Sequence, residues 1–366
     1  MRSSIVLFLG GILSLSGLSA IQASTVISGV SDSLYTSLAS DSAYSGVGQL
    51  YESASDGTYC GSATLVSSEW VLTAAHMVTS ADSASDITFV INGTTYTADS
   101  YTYYSGYDST TLSGDLALVH LSTAVTDSSV TYATLYSGTT SSLLGQTATY
   151  VGYGCTGTGL TGYDSSTYGT KRAVQNVLDC LASSVESTWS SSDLISDFDS
   201  PASSSNNDGF RFRRLSGGGY AYVGGKGNNG RGNNGPGNGN NGPGKGNQGS
   251  DDDLYNTADN VTGSSTALAL EGLIAPGDSG GGVFVTIDGV TYLVGVNSFI
   301  ASVDGDTDAD YGDLCGCVSV CDYSSWISSV MSTSFDAALV TVPEPASLGL
   351  LAVAGLAMVL RFRRRS

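Results

Sequence analysis

Two dipeptides place the tightest constraint on how this chain can fold. Asn92-Gly93 and Asp288-Gly289 each follow a short run of apolar and β-branched residues, Ile87–Ile91 in the first case and Val283–Ile287 in the second. Such pairs adopt the left-handed backbone that a two-residue hairpin turn demands, so each predicts a β-hairpin. Further runs of the same kind are Ser62–Val66, Trp70–Thr73, Leu116–Leu121, Thr147–Val151, Gly282–Ile287 and Tyr292–Val296. Many short alternating strands between turn residues predict an all-β sandwich or barrel. Late in the chain, Trp326, Ile327 and Val330 fall at helical spacing within Tyr323–Met331, which predicts a short C-terminal helix.

One internal segment cannot be a strand of that core. From Ser216 to Ser250 the chain is mostly Gly and Asn, with Pro236 and Pro243. Ordering it would consume backbone entropy with almost no apolar surface to bury, so 202–250 is expected to be a disordered insertion. The basic run Phe210-Arg211-Phe212-Arg213-Arg214 stands near its start.

The two ends read as addresses. An apolar run from Ile5 to about Leu18 follows Arg2 and leads to small residues before Ala20 and Ala23. This is the pattern of a secretory signal peptide, expected to be 1–23 and removed by signal peptidase. At the other end, Val342-Pro343-Glu344-Pro345 precedes 15 uncharged residues, Ala346–Leu360, and then Arg361, Arg363, Arg364 and Arg365. As a helix the apolar stretch would span only about 22 Å, short of the roughly 30 Å hydrocarbon core. The segment 342–366 resembles the PEP-CTERM sorting signal of Gram-negative envelope proteins. That resemblance implies transient membrane anchoring, removal of the tail by an exosortase-type enzyme, and a final place in the cell envelope or outside the cell.

Between the ends, residues 26–345 hold 33 acidic and 8 basic side chains, a net charge of −25. Six of the eight cations lie in 211–245, leaving Lys171 and Arg172 for the rest. No basic face is available to neutralise phosphates, so nucleic acid is excluded as a partner, and the acidic surface suits a soluble monomer. Six cysteines (Cys60, Cys155, Cys180, Cys315, Cys317, Cys321) in an exported chain predict up to three disulfides. With only two histidines present, the closely spaced Cys315, Cys317 and Cys321 are not read as a metal site, and no cofactor is expected. The acidic run Asp304–Asp310 alternates carboxylates like a calcium loop but lacks its sixth-position glycine and twelfth-position glutamate, and reads as a solvated loop.

Three separated motifs carry the chemistry. Thr73-Ala74-Ala75-His76 follows an apolar strand, Gly114-Asp115 opens another, and Pro276-Gly277-Asp278-Ser279-Gly280-Gly281 sets a serine in a glycine-rich turn. A serine hydroxyl needs a base to take its proton as it attacks, and His76 and His120 are the only histidines. His120 falls inside the strand after Asp115, as a structural histidine would. In their order His76, Asp115, Ser279, the motifs resemble those of trypsin-like serine proteases. The resemblance runs from about Tyr44 to Met331 and implies two antiparallel β-barrels within residues 24–341. It implies a Ser279–His76–Asp115 triad, an oxyanion site at the N–H groups of Gly277 and Ser279, and hydrolysis of peptide bonds through an acyl-enzyme.

Departures from the pattern bear on specificity. Leu273 stands at the base of the implied pocket and Ile300 where a glycine is usual, with Ser298 and Phe299 on the strand that meets substrate. These predict small or medium apolar side chains at the cleaved residue and argue against an Arg/Lys preference. Met77 and Ala275 replace two of the family's cysteines, which leaves Cys60 free or bonded elsewhere, Cys155 being one candidate. In the family Asp278 pairs with a freed Ile or Val N-terminus; Val26-Ile27-Ser28-Gly29 is a candidate partner, and an ordinary strand near the N-terminus is the alternative reading. The competing reading is a catalytically silent protease fold used for surface or matrix binding.

Overall fold

A computed structural model describes residues 6–9, 24–55, 57–201, 211–214, 220–222, 260–262, 264, 266–302 and 308–339. The chain divides into two compact units, 1–324 and 325–366. Near the N-terminus lie the strands β1 (Val6–Leu9) and β2 (Ser24–Val26), then helix α1 (Asp32–Ala39). Six strands follow: β3 (Val47–Ala54), β4 (Gly57–Leu65), β5 (Trp70–Thr73), β6 (Ile87–Ile91), β7 (Thr94–Tyr103) and β8 (Ala117–Leu121). They close into an antiparallel barrel in the order β3-β4-β5-β8-β7-β6. Alternation decides what faces inward: Ile87, Phe89 and Ile91 of β6 are buried while Thr88 and Val90 are less so. Each such buried side chain stabilises the barrel by about 1.5–3 kcal/mol relative to exposure.

The next strands are β9 (Thr147–Gly152), β10 (Thr156–Thr158), β11 (Gly162–Asp164), β12 (Arg172–Val177) and β13 (Cys180–Leu181). After the short helix α2 (Ala182–Val185) come β14 (Asp193–Asp197), β15 (Arg211–Arg214), β16 (Tyr220–Tyr222) and β17 (Asn260–Thr262). The last four are β18 (Gly272–Leu273), β19 (Gly282–Ile287), β20 (Val290–Ser302) and β21 (Leu314–Ser319). A curled sheet runs β12-β9-β19-β20-β21-β14-β13, with β1 also paired to β20. This second barrel is open. Its first strand, β12, is bridged to β14 near the other end by the side-chain amide of Asn176, which donates to the carbonyl of Asp197, rather than by a backbone ladder. Both predicted hairpin turns are present, with φ of +48° and +74° at Asn92 and Gly93 and +52° and +80° at Asp288 and Gly289.

A small sheet β11-β10-β2-β18 ties the N-terminal segment to the second barrel. The two cations of the body reinforce that tie. Arg172, fully buried, grips Asp32 of α1 at 2.5 and 2.7 Å, and Lys171 donates to the carbonyl of Tyr44 at 2.6 Å.

Two sequence expectations need revision. Within 202–250, Arg211–Arg214 and Tyr220–Tyr222 form strands, and with β17 they make the sheet β16-β15-β17, so the segment is not wholly without regular structure. Alternating aromatic and β-forming residues there outweigh the flanking glycine. The rest of 202–250 lies outside the described residues, as do the signal-peptide cleavage site and the sorting segment 342–366. The expected disulfides are absent: no disulfide joins any of the six cysteines, all of which are buried. Cys60 and Cys155 share one apolar cluster and Cys180 sits in another, while Cys315 and Cys317 lie two apart on one strand. No helix among the described residues is long and apolar enough to cross a membrane. The terminal helix, α3, runs Ser324–Leu339.

Candidate active site

Strand pairing brings His76 and Asp115 together. β5 and β8 are antiparallel with Thr73 opposite Ala117, so the chain leaving β5 and the chain entering β8 meet at one end of the barrel. His76 lies in a single 3₁₀ turn, Ala75–Met77, and Asp115 precedes β8; they are 2 % and 0 % exposed. The contact is twofold: the His76 backbone N–H donates to Asp115 Oδ1 at 2.9 Å, and Nδ1 lies 2.7 Å from Oδ2. A carboxylate that accepts at Nδ1 fixes the tautomer, leaving the Nε2 lone pair for a proton from elsewhere. A third donor, the Ser298 hydroxyl, reaches Oδ2 at 2.6 Å.

Ser279 stands in the turn between β18 and β19 and is 3 % exposed. Gly277 and Gly280 on either side take φ of +95° and +81°, which a side chain would oppose. This backbone leaves two N–H groups, those of Gly277 and Ser279, without an acceptor among the described residues. Asn297 fastens the turn to β20: its carbonyl accepts from Gly280 N–H at 2.8 Å, and its side-chain amide donates to Asp278 O at 3.1 Å. Ser62 of β4 fastens it to the first barrel, donating its N–H to Ser279 O at 2.8 Å and its hydroxyl to Gly277 O at 2.9 Å. His76 Nε2 is buried and has no hydrogen-bond partner among the described residues, so no bond to the Ser279 hydroxyl is formed in this state.

Asp278 is fully buried beneath the turn. Its carboxylate accepts from the N–H groups of Gly154 and Ala275 at 2.8 and 2.9 Å and from the Ser24 hydroxyl at 2.8 Å. Burial pushes its pKa up to about 6 against the pull of those donors. Ser24, rather than the candidate Val26, is therefore the N-terminal residue at Asp278; Val26 is paired with Gly272.

The four residues read as substrate-binding do not share one environment. Leu273 and Ile300 are buried in one apolar cluster with Cys315, whereas Phe299 belongs to another, its ring 5.3 Å from that of Trp189. Ser298 has its hydroxyl engaged with Asp115. His120 pairs at the surface with Asp99, Nδ1 to Oδ1 at 2.6 Å. In the acidic loop, carboxylate oxygens of Asp308, Asp310 and Asp313 lie within 4.8 Å of one another; residues 304 and 306 fall outside the described residues.

Ser62, Ser24 and the Asp115 contact of Ser298 escaped the sequence reading. Only Ser62 carried a signal, in Cys60-Gly61-Ser62, a variant of a familiar protease motif.

The Trypsin family model matches residues 40–208, which include His76 and Asp115 and end before Ser279. The chain carries a trypsin-family domain. A PEP-CTERM protein-sorting motif matches residues 341–365. No curated protein matches the chain. The two matches together support a secreted serine protease, sorted through the bacterial cell envelope.

Proposed function

We propose that the protein is an exported serine endopeptidase in which Ser279 attacks the peptide carbonyl. His76 accepts the Ser279 proton at Nε2 and returns it to the leaving amine. Asp115 holds the ring and stabilises the imidazolium, while the N–H groups of Gly277 and Ser279 receive the oxyanion. Water then hydrolyses the acyl-enzyme. The observation that carries this reading is the twofold grip of Asp115 on His76, which points a free Nε2 away from the carboxylate. Each oxyanion donor is worth on the order of 3 kcal/mol of transition-state stabilisation.

Leu273 and Ile300 are both apolar and buried. With no carboxylate at either position, small or medium apolar residues are the expected targets rather than Arg or Lys. Signal peptidase and an exosortase-type enzyme are the expected processing partners, with transient anchoring by 342–366.

Covalent labelling by a fluorophosphonate tests the mechanism. The wild-type protein is expected to label and Ser279→Ala is not. A folded wild-type protein that fails to label would favour a silent protease fold serving as a surface-binding scaffold.

A further inference from the structure

Asp193, the first residue of β14, is a carboxyl group that the proposed mechanism does not use. It is 0 % exposed, and neither oxygen has a hydrogen-bond partner among the described residues. Asp115, by contrast, is equally buried but accepts three hydrogen bonds. The two acids occupy one wall of the fold. Tyr104 lies against Gly114, so close that a Cβ there would come within 2.8 Å of its ring. Tyr104 in turn meets the Tyr323 ring edge-on at 4.9 Å, and Tyr323 feels the charge of Asp193.

The charged and titratable groups facing Asp193 are Asp115 on the loop before β8, Asp322 and Tyr323 after β21, and Cys317 on β21. None is a cation. The described basic side chains are committed elsewhere: Arg172 to Asp32, Lys171 to the Tyr44 carbonyl, His120 to Asp99 and His76 to Asp115. An ionised carboxylate with no donor in such a place is far too unfavourable to persist, so it keeps its proton. Burial first, then the charges of Asp115 and Asp322, push its pKa well above the ordinary carboxylate range.

We propose that Asp193 is a positioning residue carried as an uncharged acid, which leaves Asp115 the sole buried charge in this wall, and that its ionisation in alkaline solution disables the site. The inference rests on the protease reading above. When the proton leaves Asp193, the new carboxylate must be hydrated or must capture a donor. Either way the packing of Tyr323 on Tyr104, and of Tyr104 against Gly114 next to Asp115, is disturbed, and the hold on His76 goes with it. A neutral side chain of the same shape has nothing to ionise.

The test compares the full-length wild type with Asp193→Asn in fluorophosphonate labelling rate from pH 6 to 10.5. At pH 7 the two rates are expected to agree within about threefold, because both side chains are neutral there. Towards the alkaline end of the range the wild type is expected to lose labelling from its maximum, and the variant to stay within about threefold of its own. Coincident profiles overturn the proposal, as does a folded Asp193→Asn protein that is inactive at pH 7. Should the amide not fold, Asp193→Leu carries the same expectation. Melting temperatures with and without Asp193→Asn, both in the Ser279→Ala background, give a readout independent of catalysis. The protein that keeps Asp193 should lose stability between pH 7 and 10 more steeply than the one carrying Asp193→Asn. Wild type that never labels counts against the protease reading, while parallel melting curves count against this one.

Discussion

Replacing Gly280 by alanine tests how tightly the Ser279 turn is wedged between the barrels. Gly280 has φ of +81°, a left-handed backbone that opposes any L side chain by about 1–2 kcal/mol. The added methyl would also strike the Ser62 carbonyl and the Thr73 hydroxyl, both well under 3.0 Å away, with Ala74 N at 3.1 Å behind them. Neither obstacle is the free end of a flexible side chain. Ser62 is hydrogen-bonded to the turn itself, and Thr73 Oγ1 donates to Ser62 O at 2.9 Å. Overpacking of this kind costs about 1–3 kcal/mol, so the sum is roughly 2–5 kcal/mol against a whole-protein stability of about 5–15. Differential scanning calorimetry in the Ser279→Ala background should show melting lowered by roughly 10 °C. The single variant Gly280→Ala should also label with fluorophosphonate at least about 100-fold more slowly, since a shift of about 1 Å in a reacting group costs that much. Wild-type melting together with wild-type labelling would refute the idea that this turn is clamped by the first barrel.

Other predictions concern the groups around it. Ser298→Ala removes one of three donors to a buried carboxylate, worth about 1.5–3 kcal/mol, so kcat should fall roughly 10- to 100-fold with KM little changed; steady-state kinetics on a peptide substrate decide it. A chain beginning at Ser24 would set its ammonium beside Asp278, whose pKa is otherwise pushed up to about 6. Such a chain should melt higher at pH 7 than one retaining residues 1–23, and equal melting would count against the pairing. Burial also pushes Asp179, Asp199 and Glu271 up to about 6, 7 and 8. The folded state thus holds protons that the unfolded chain has released. This stabilisation is fully present below about pH 4 and lost as pH rises, most of it by about pH 6 and the remainder by about pH 8. Melting temperature of Ser279→Ala should therefore decline from pH 5 to 8.5; a flat or rising curve contradicts the raised values.

What the sequence disclosed was local, and what it withheld was contact across long separations. Asn92-Gly93 and Asp288-Gly289 announced their hairpins because the turn chemistry lies within two adjacent residues. His76 stood out through scarcity, since few histidines competed for the role. Nothing local marks Ser298 as a donor to Asp115, because the two are 183 residues apart and a serine on a strand is unremarkable. The Ser24 contact with Asp278 was missed for the same reason; an apolar Val26 looked the better candidate until pairing placed it opposite Gly272. The disulfide expectation failed on geometry, as six cysteines in an exported chain say nothing about whether their Cβ vectors converge. In the insertion, glycine content concealed two short strands whose aromatic residues were plain to read.

The ties that hold the N-terminal segment have a bearing on timing. Asp32 waits for Arg172, 140 residues later, and Ser24 for Asp278, 254 residues later. A chain with such distant partners folds slowly, because loop-closure entropy must be met before these contacts form. The first barrel can assemble from near neighbours, but the Ser279 turn cannot be seated until nearly the whole domain is present. The order of the chain itself thus makes the Ser279 turn one of the last parts of the fold to be seated.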